Sequence, residues 1–224
     1  MNYLAHGYRF VSTPFFTAGT AVPDWLSVVD RRVRVRRRRL DAELPALSPE
    51  AEQMVRGMLQ HLDDDDRFHR SETFLTLESE LGVRFRRIMP DPYDHRPGFL
   101  GHIVCELMLD ATLAERQPEL TGEYYRALAA VSPGTIQSIV NRVATRRTED
   151  LASFVERFLR SQFLYDYLQD VSLLGRLNQV LRRVTLPGLD ERSLPVLRDA
   201  RILLRQSADD LLRAVFPESQ ESDR

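Results

Sequence analysis

His61, Asp65 and His69 recur at every fourth position within Gly57-Met-Leu-Gln-His61-Leu-Asp-Asp-Asp-Asp-Arg-Phe-His69. In a helix each residue turns by about 100°, so a step of four overshoots one turn by only about 40°. The three side chains then form a slowly drifting column on one face, with Asp64 on its other side. Imidazole and carboxylate stacked in this way make half of a metal site. His102, Glu106 and Asp110 repeat the spacing farther along the chain. Two such columns facing each other across a helical bundle would hold a divalent ion. The plainer reading of the first column is a solvated acidic helix end. That of the second is an amphipathic helix with its polar stripe in water. The second column sits among Leu100, Ile103, Val104, Leu107, Met108 and Leu113. A helix that apolar is buried on most sides, and burying three ionisable groups is costly unless they are paired or bound to metal.

Other chemistries are missing from the sequence. It has no HExxH zinc pair, no Gly-rich phosphate loop and no Gly-x-Ser-x-Gly nucleophile elbow. The single cysteine, Cys105, excludes a disulfide framework and a thiolate zinc cluster. Its apolar neighbours mark it as a small core residue. His6 and Asp24 are isolated residues able to complete a site. His95, in a proline-rich segment, is expected to be exposed.

The columns need helices to carry them. Ser48-Pro49-Glu50 is a strong helix start, with an N-cap serine, proline in the first turn and an acid beside it. Met54, Val55, Met58, Leu59 and Leu62 follow at helical spacing. The four acids from Asp63 to Asp66 are expected at this helix's C-terminal end, against its dipole. A local conflict of that kind marks functional sites. A helix through Phe74, Leu75, Leu77 and Leu81 is expected to stop at Gly82. Pro90 to Pro97 reads as a loop, and a helix runs from Phe99 to about Glu115. Upstream, Pro14 is expected to end a short first helix. The segment from Gly19 to Leu26 reads as a turn into a second helix, with Pro23 at its first position. Downstream, helices are expected over Tyr124–Val131, from Ser132-Pro133, from Thr148, over Phe163–Val184 and over Ser193–Phe216. With no strand pair and no internal repeat, the class is all-α. Residues 1–216 read as a single helical domain and 217–224 as a polar, disordered tail.

A chain of 224 residues with net charge −2 suits one globular domain, and its bulk charge does not point to nucleic acid. All its basic residues are arginine. The strongest charge run, Arg31 to Arg39, is expected to be exposed. It reads as simply solvated, as a dock for an acidic protein, or as a nucleic-acid contact. No aromatic residue interleaves with it, which counts against a single-strand stacking platform. No apolar run is long enough to cross a membrane, and the N-terminus lacks the pattern of a signal peptide. A cytoplasmic protein is expected.

With these residues assembled, the chain resembles the acyl carrier protein phosphodiesterase family, whose fold is related to the HD-domain phosphohydrolases. Met1-Asn2-Tyr3-Leu4-Ala5-His6 resembles that family's Met-Asn-aromatic-Leu-Ala-His start. Gly19 to Asp24 stands in the place of its Gly-Asn-(x)n-Asp segment, and Gly57 through His61 to Asp65 resembles its Gly-(x)3-His-(x)3-Asp motif. Glu106 and Asp110 match a pair of carboxylates four apart on a later helix. The apolar helix from Leu164 to Arg183 is also similar. The chain departs from the pattern at Thr20, His69 and Ala111.

The resemblance implies an HD-domain-like helical bundle. It also implies a divalent metal, Mn²⁺ or Mg²⁺, and the imidazole and carboxylate donors themselves also admit Fe or Zn. The reaction implied is hydrolysis of the phosphodiester that joins 4′-phosphopantetheine to a carrier-protein serine. His6, Asp24, His61, Asp65, Glu106 and Asp110 would be metal ligands or their anchors. His69 or His102 would be the general acid for the leaving alkoxide. The partner would be acyl carrier protein or another acidic phosphoester-bearing molecule, docked on Arg31–Arg39. The alternatives are a phosphohydrolase of nucleotides or other small phosphoesters, and a non-catalytic helical module that binds an acidic partner through the same arginines.

Overall fold

The computed structural model of the chain describes residues 1–89 and 96–217. In chain order the α-helices are α1 (Tyr3–Gly7), α2 (Pro14–Val29), α3 (Arg37–Glu43), α4 (Pro49–Arg70), α5 (Glu72–Ile88) and α6 (Pro97–Arg116). They continue with α7 (Leu120–Ala129), α8 (Pro133–Val143), α9 (Leu151–Ser161), α10 (Asp170–Arg183) and α11 (Leu194–Val215). No strand occurs among the described residues, so the chain is all-α. No described helix is long and apolar enough to cross a membrane. His95 and the segment 90–95, and the tail beyond Pro217, lie outside the described residues.

The helices gather into two compact units. The first unit holds Asn2–Asp63 and Gln117–Tyr165. At its centre α2 buries Thr17 to Val22, Trp25 and Leu26, and packs against α1, α7 and α9. An aromatic cluster closes this core: the Phe158 ring lies 4.9 Å edge-on from Tyr3 and 5.5 Å from Trp25. Along Arg31–Arg39 the arginines are exposed while Val33, Val35 and the following Leu40 are buried. The Arg-Val alternation is therefore extended chain with one wet and one dry face. Thr145 fixes its register, with Arg34 N–H donating to Thr145 Oγ1 (3.0 Å) and Thr145 N–H to the Arg34 carbonyl (2.8 Å).

The second unit holds Met1, Asp64–Arg116 and the chain from Asp166 onward. Helices α5 and α6 cross at close range, α11 packs on both, and α10 packs on α11. Phe68, at the end of α4, is fully buried against Phe74 of α5 (4.6 Å). Arg201 of α11 is nearly buried and answers Asp170 and Glu115 together.

Several expected boundaries moved, each for a visible reason. Pro14 opens α2 rather than ending a helix, since its missing N–H costs nothing in a first turn. Pro23 lies inside α2, where it leaves the Gly19 carbonyl without its usual donor. The burial of the flanking residues outweighs that loss. The acids of α4 are followed by another turn carrying Arg67, His69 and Arg70, so the last turn is basic and suits the dipole. The expected helix Phe163–Val184 is a 3₁₀ turn over Phe163–Leu168, then an extended Gln169, then α10.

Gly175 in α10 is exposed, and a Cβ added there would meet nothing within 4 Å. Gly175→Ala should stabilise the protein by about 0.5–1 kcal/mol through helix propensity alone. A rise of roughly 2–3 °C in Tm checks it.

Candidate metal sites

Around His61, two glycines do the positioning. A Cβ on Gly19 would lie 2.1 Å from the Met54 carbonyl oxygen, and one on Gly57 would lie 2.2 Å from that of Phe16. No side chain fits at either point, so α2 and α4 cross with their backbones touching. His61 follows Gly57 by one turn. The crossing brings the Thr20 carbonyl to within 2.7 Å of His61 Nδ1. A carbonyl only accepts, so Nδ1 carries the proton, and Nε2 is the nitrogen through which this ring would bind a metal. His6 of α1 stacks on this ring with centroids 3.8 Å apart and planes 22° apart, and both histidines are buried. Asp65 lies one turn beyond His61 on α4. Asp24 lies one turn beyond Thr20 on α2, half-buried.

Around His69 the same device recurs. A Cβ on Gly101 would lie 2.3 Å from the Glu78 carbonyl oxygen and 2.9 Å from Gly82 N. Gly82, read from the sequence as a helix stop, instead lies inside α5 and lets α6 approach. The crossing places Glu78 beside His102, with Oε1 3.3 Å from Nδ1. One turn along α6, Glu106 Oε1 lies 3.3 Å from His102 Nε2 and 3.1 Å from His69 Nε2. His69 Nδ1–H donates to the Asp65 carbonyl, 2.8 Å away. The two imidazoles stack with centroids 4.8 Å apart and planes 14° apart. Phe74 meets each ring edge-on at 5.1 Å. The Met1 amino group lies 3.1 Å from Glu106 Oε1 and 2.8 Å from Asp65 Oδ1.

These neighbours set the protonation states. Burial alone would push the Glu106 carboxyl up. The Met1 charge and the hydrogen bonds from His102 and His69 outweigh it and hold the group well below the usual carboxylate range. Burial would lower the His102 pKa, but Glu106 and then Glu78 outweigh it and raise it. Burial pushes the Cys105 thiol far up, so it is an inert core residue, as its neighbours in the sequence imply.

The two columns read from the sequence therefore meet at one level. His69 of the first faces His102 and Glu106 of the second. His6 joins the other end of the first column, at His61. Asp110, one turn beyond Glu106, and Asp64 are buried. Each ring nitrogen of His69 and His102 faces a partner. Four contributors were missed: Glu78, the Thr20 carbonyl, Phe74 and the Met1 amino group. Glu78 stands one turn before Gly82, and that Glu-x-x-x-Gly spacing was its only trace in the sequence. Among the described residues, then, His and carboxylate side chains form groups able to hold a metal ion. Comparison with known protein families, curated proteins and solved structures finds nothing that matches this chain.

Proposed function

We propose that this chain is a metal-dependent phosphodiester hydrolase of HD-domain-like fold that releases 4′-phosphopantetheine from a carrier-protein serine. The observation that carries the reading is the His61 ring. The Thr20 carbonyl holds the Nδ1 proton, so Nε2 is the nitrogen that would ligate, and Asp65 follows one turn along α4. His61 and Asp65 would hold the ion, with His6 stacked on His61 to keep the ring from turning. Such mixed imidazole and carboxylate donors suit Mn, Fe or Zn, and Mg where carboxylate dominates. A divalent ion there supplies Lewis acidity toward the phosphoryl group and a lower pKa for the attacking water. The exposed guanidinium groups of Arg36 to Arg39 favour an acidic macromolecular partner over a free small phosphoester, and speed its encounter.

The test uses chelator-stripped protein with holo-acyl carrier protein, and follows release of 4′-phosphopantetheine with and without Mn²⁺. Release should require the ion and slow as salt rises. His61→Ala and Asp65→Ala should each leave release at its metal-free level, while helicity and the urea midpoint stay near those of the parent. Release that proceeds unchanged in both variants contradicts the reading.

A further inference from the structure

We propose that His69, His102 and Glu106 form a second metal site, for a divalent transition-metal ion, separate from the one at His61. His69 Nδ1 faces a carbonyl oxygen and His102 Nδ1 faces the Glu78 carboxylate. Both partners only accept, so both Nδ1 atoms carry protons. Both Nε2 atoms then face one atom, Glu106 Oε1. If the rings are neutral, two lone pairs point at an anionic oxygen. If both are protonated, two stacked imidazolium ions lie 4.8 Å apart, beside the Met1 amino group on the same oxygen. With the rings neutral, one ion can take both Nε2 lone pairs and the carboxylate oxygen.

The distances agree. Metal–nitrogen and metal–oxygen bonds of about 2.0–2.2 Å set ligand atoms on one ion about 3.0–3.4 Å apart. Glu106 Oε1 stands 3.1 and 3.3 Å from the two Nε2 atoms. The three ligand atoms all lie within 4.8 Å of one another. The outer partners are those that metal-bound histidines use, a backbone carbonyl on one and a carboxylate on the other. Two imidazoles and one carboxylate select Zn, Fe(II), Co or Mn rather than Mg or Ca. The side chains of His69 and His102 remain about a third exposed (31% and 32%), which leaves room for ligands from solvent.

Cobalt(II) is the probe, because its visible absorption reports bound ligands directly. In full-length, chelator-stripped protein carrying His61→Ala, one equivalent of cobalt should still bind and give visible bands. Adding His69→Ala and His102→Ala should remove it. Glu78→Gln, which leaves all three ligands in place, should weaken cobalt binding about 10–100-fold. If the triple variant does not fold by circular dichroism, the Glu78→Gln comparison in the His61→Ala background decides. Absence of cobalt uptake in His61→Ala overturns the proposal. So does uptake indifferent to the two histidine changes, or, in the fallback, to Glu78→Gln. Failure of the hydrolase reading shows separately, as no metal-dependent release with cobalt uptake intact.

Discussion

Gly57→Ala should cost about 3 kcal/mol or more and detach His61 from Thr20. The added methyl would sit 2.2 Å from the Phe16 carbonyl oxygen and 3.0 Å from both the Gly19 Cα and Thr20 N. These are backbone atoms of a buried helix, so no rotamer change makes room. Helix α2 must move off α4, and overpacking of a well-packed core costs about 1–3 kcal/mol even where side chains can give. The same movement lengthens the 2.7 Å bond that fixes the His61 tautomer. Two readouts follow: a lower urea midpoint, and a His61 nitrogen NMR spectrum that changes from one tautomer to a mixture. Gly175→Ala is the matched control, since open space there should make the same change mildly stabilising. A Gly57→Ala protein as stable as its parent, with His61 unchanged, would contradict the helix crossing.

Arg201→Met should be of similar size, about 3–5 kcal/mol. The Arg201 side chain is 10% exposed and donates from Nη1 to Glu115 (2.7 Å), from Nη2 to Asp170 (2.7 Å) and from Nη2 to the Tyr167 carbonyl (2.9 Å). Removing the guanidinium leaves two carboxylates and a carbonyl facing an apolar chain, and breaking a buried pair from one side carries that cost. Lysine should not rescue it, because one ammonium cannot reproduce the planar fork. Arg205→Ala, by contrast, removes an exposed partner of the same Glu115 and should cost under about 1 kcal/mol.

Acid should separate the parent from this variant further. Partial burial would raise the Glu115 pKa, but the Arg205 hydrogen bond and the Arg201 charge outweigh it and lower the group in the folded state. A depressed folded pKa contributes stability that is complete above the unfolded value, about 4.3 for glutamate, and is lost as the pH falls through the folded one. The parent should therefore lose stability below about pH 4.3, and Arg201→Met should lose less over the same range. Urea unfolding at pH 7 and at pH 4 and below checks both the size and the sign.

What the sequence made legible was the local geometry. The spacing of His61, Asp65 and His69, and of His102 and Glu106, determines which side chains share a helical face, and that depends on turn angle alone. Ser48, Ser71 and Ser132 stand just before α4, α5 and α8, and the Ser71 and Ser132 hydroxyls accept from the third residue on. What the sequence hid depends on how helices meet. Gly19 read as part of a turn, Gly82 as a stop and Gly57 as a motif letter, yet these three and Gly101 lie within helices, at crossings that only tertiary packing reveals. Glu78 and the Thr20 carbonyl enter the sites through those crossings. A carbonyl is present at every residue and leaves no mark in a sequence. Pro23 misled for a related reason. Its local cost inside α2 is real, and the burial of Ala18, Ala21, Val22, Trp25 and Leu26 around it overrides that cost. His69, where the chain leaves the pattern it resembles, is the residue through which the two columns meet.

The most direct measurement is anomalous diffraction from crystals of the full-length protein grown with Mn²⁺, recorded above the manganese edge. The expected result is a peak in contact with His61 Nε2. Manganese that binds stoichiometrically in solution yet gives no peak at His61 in the crystal would contradict the account.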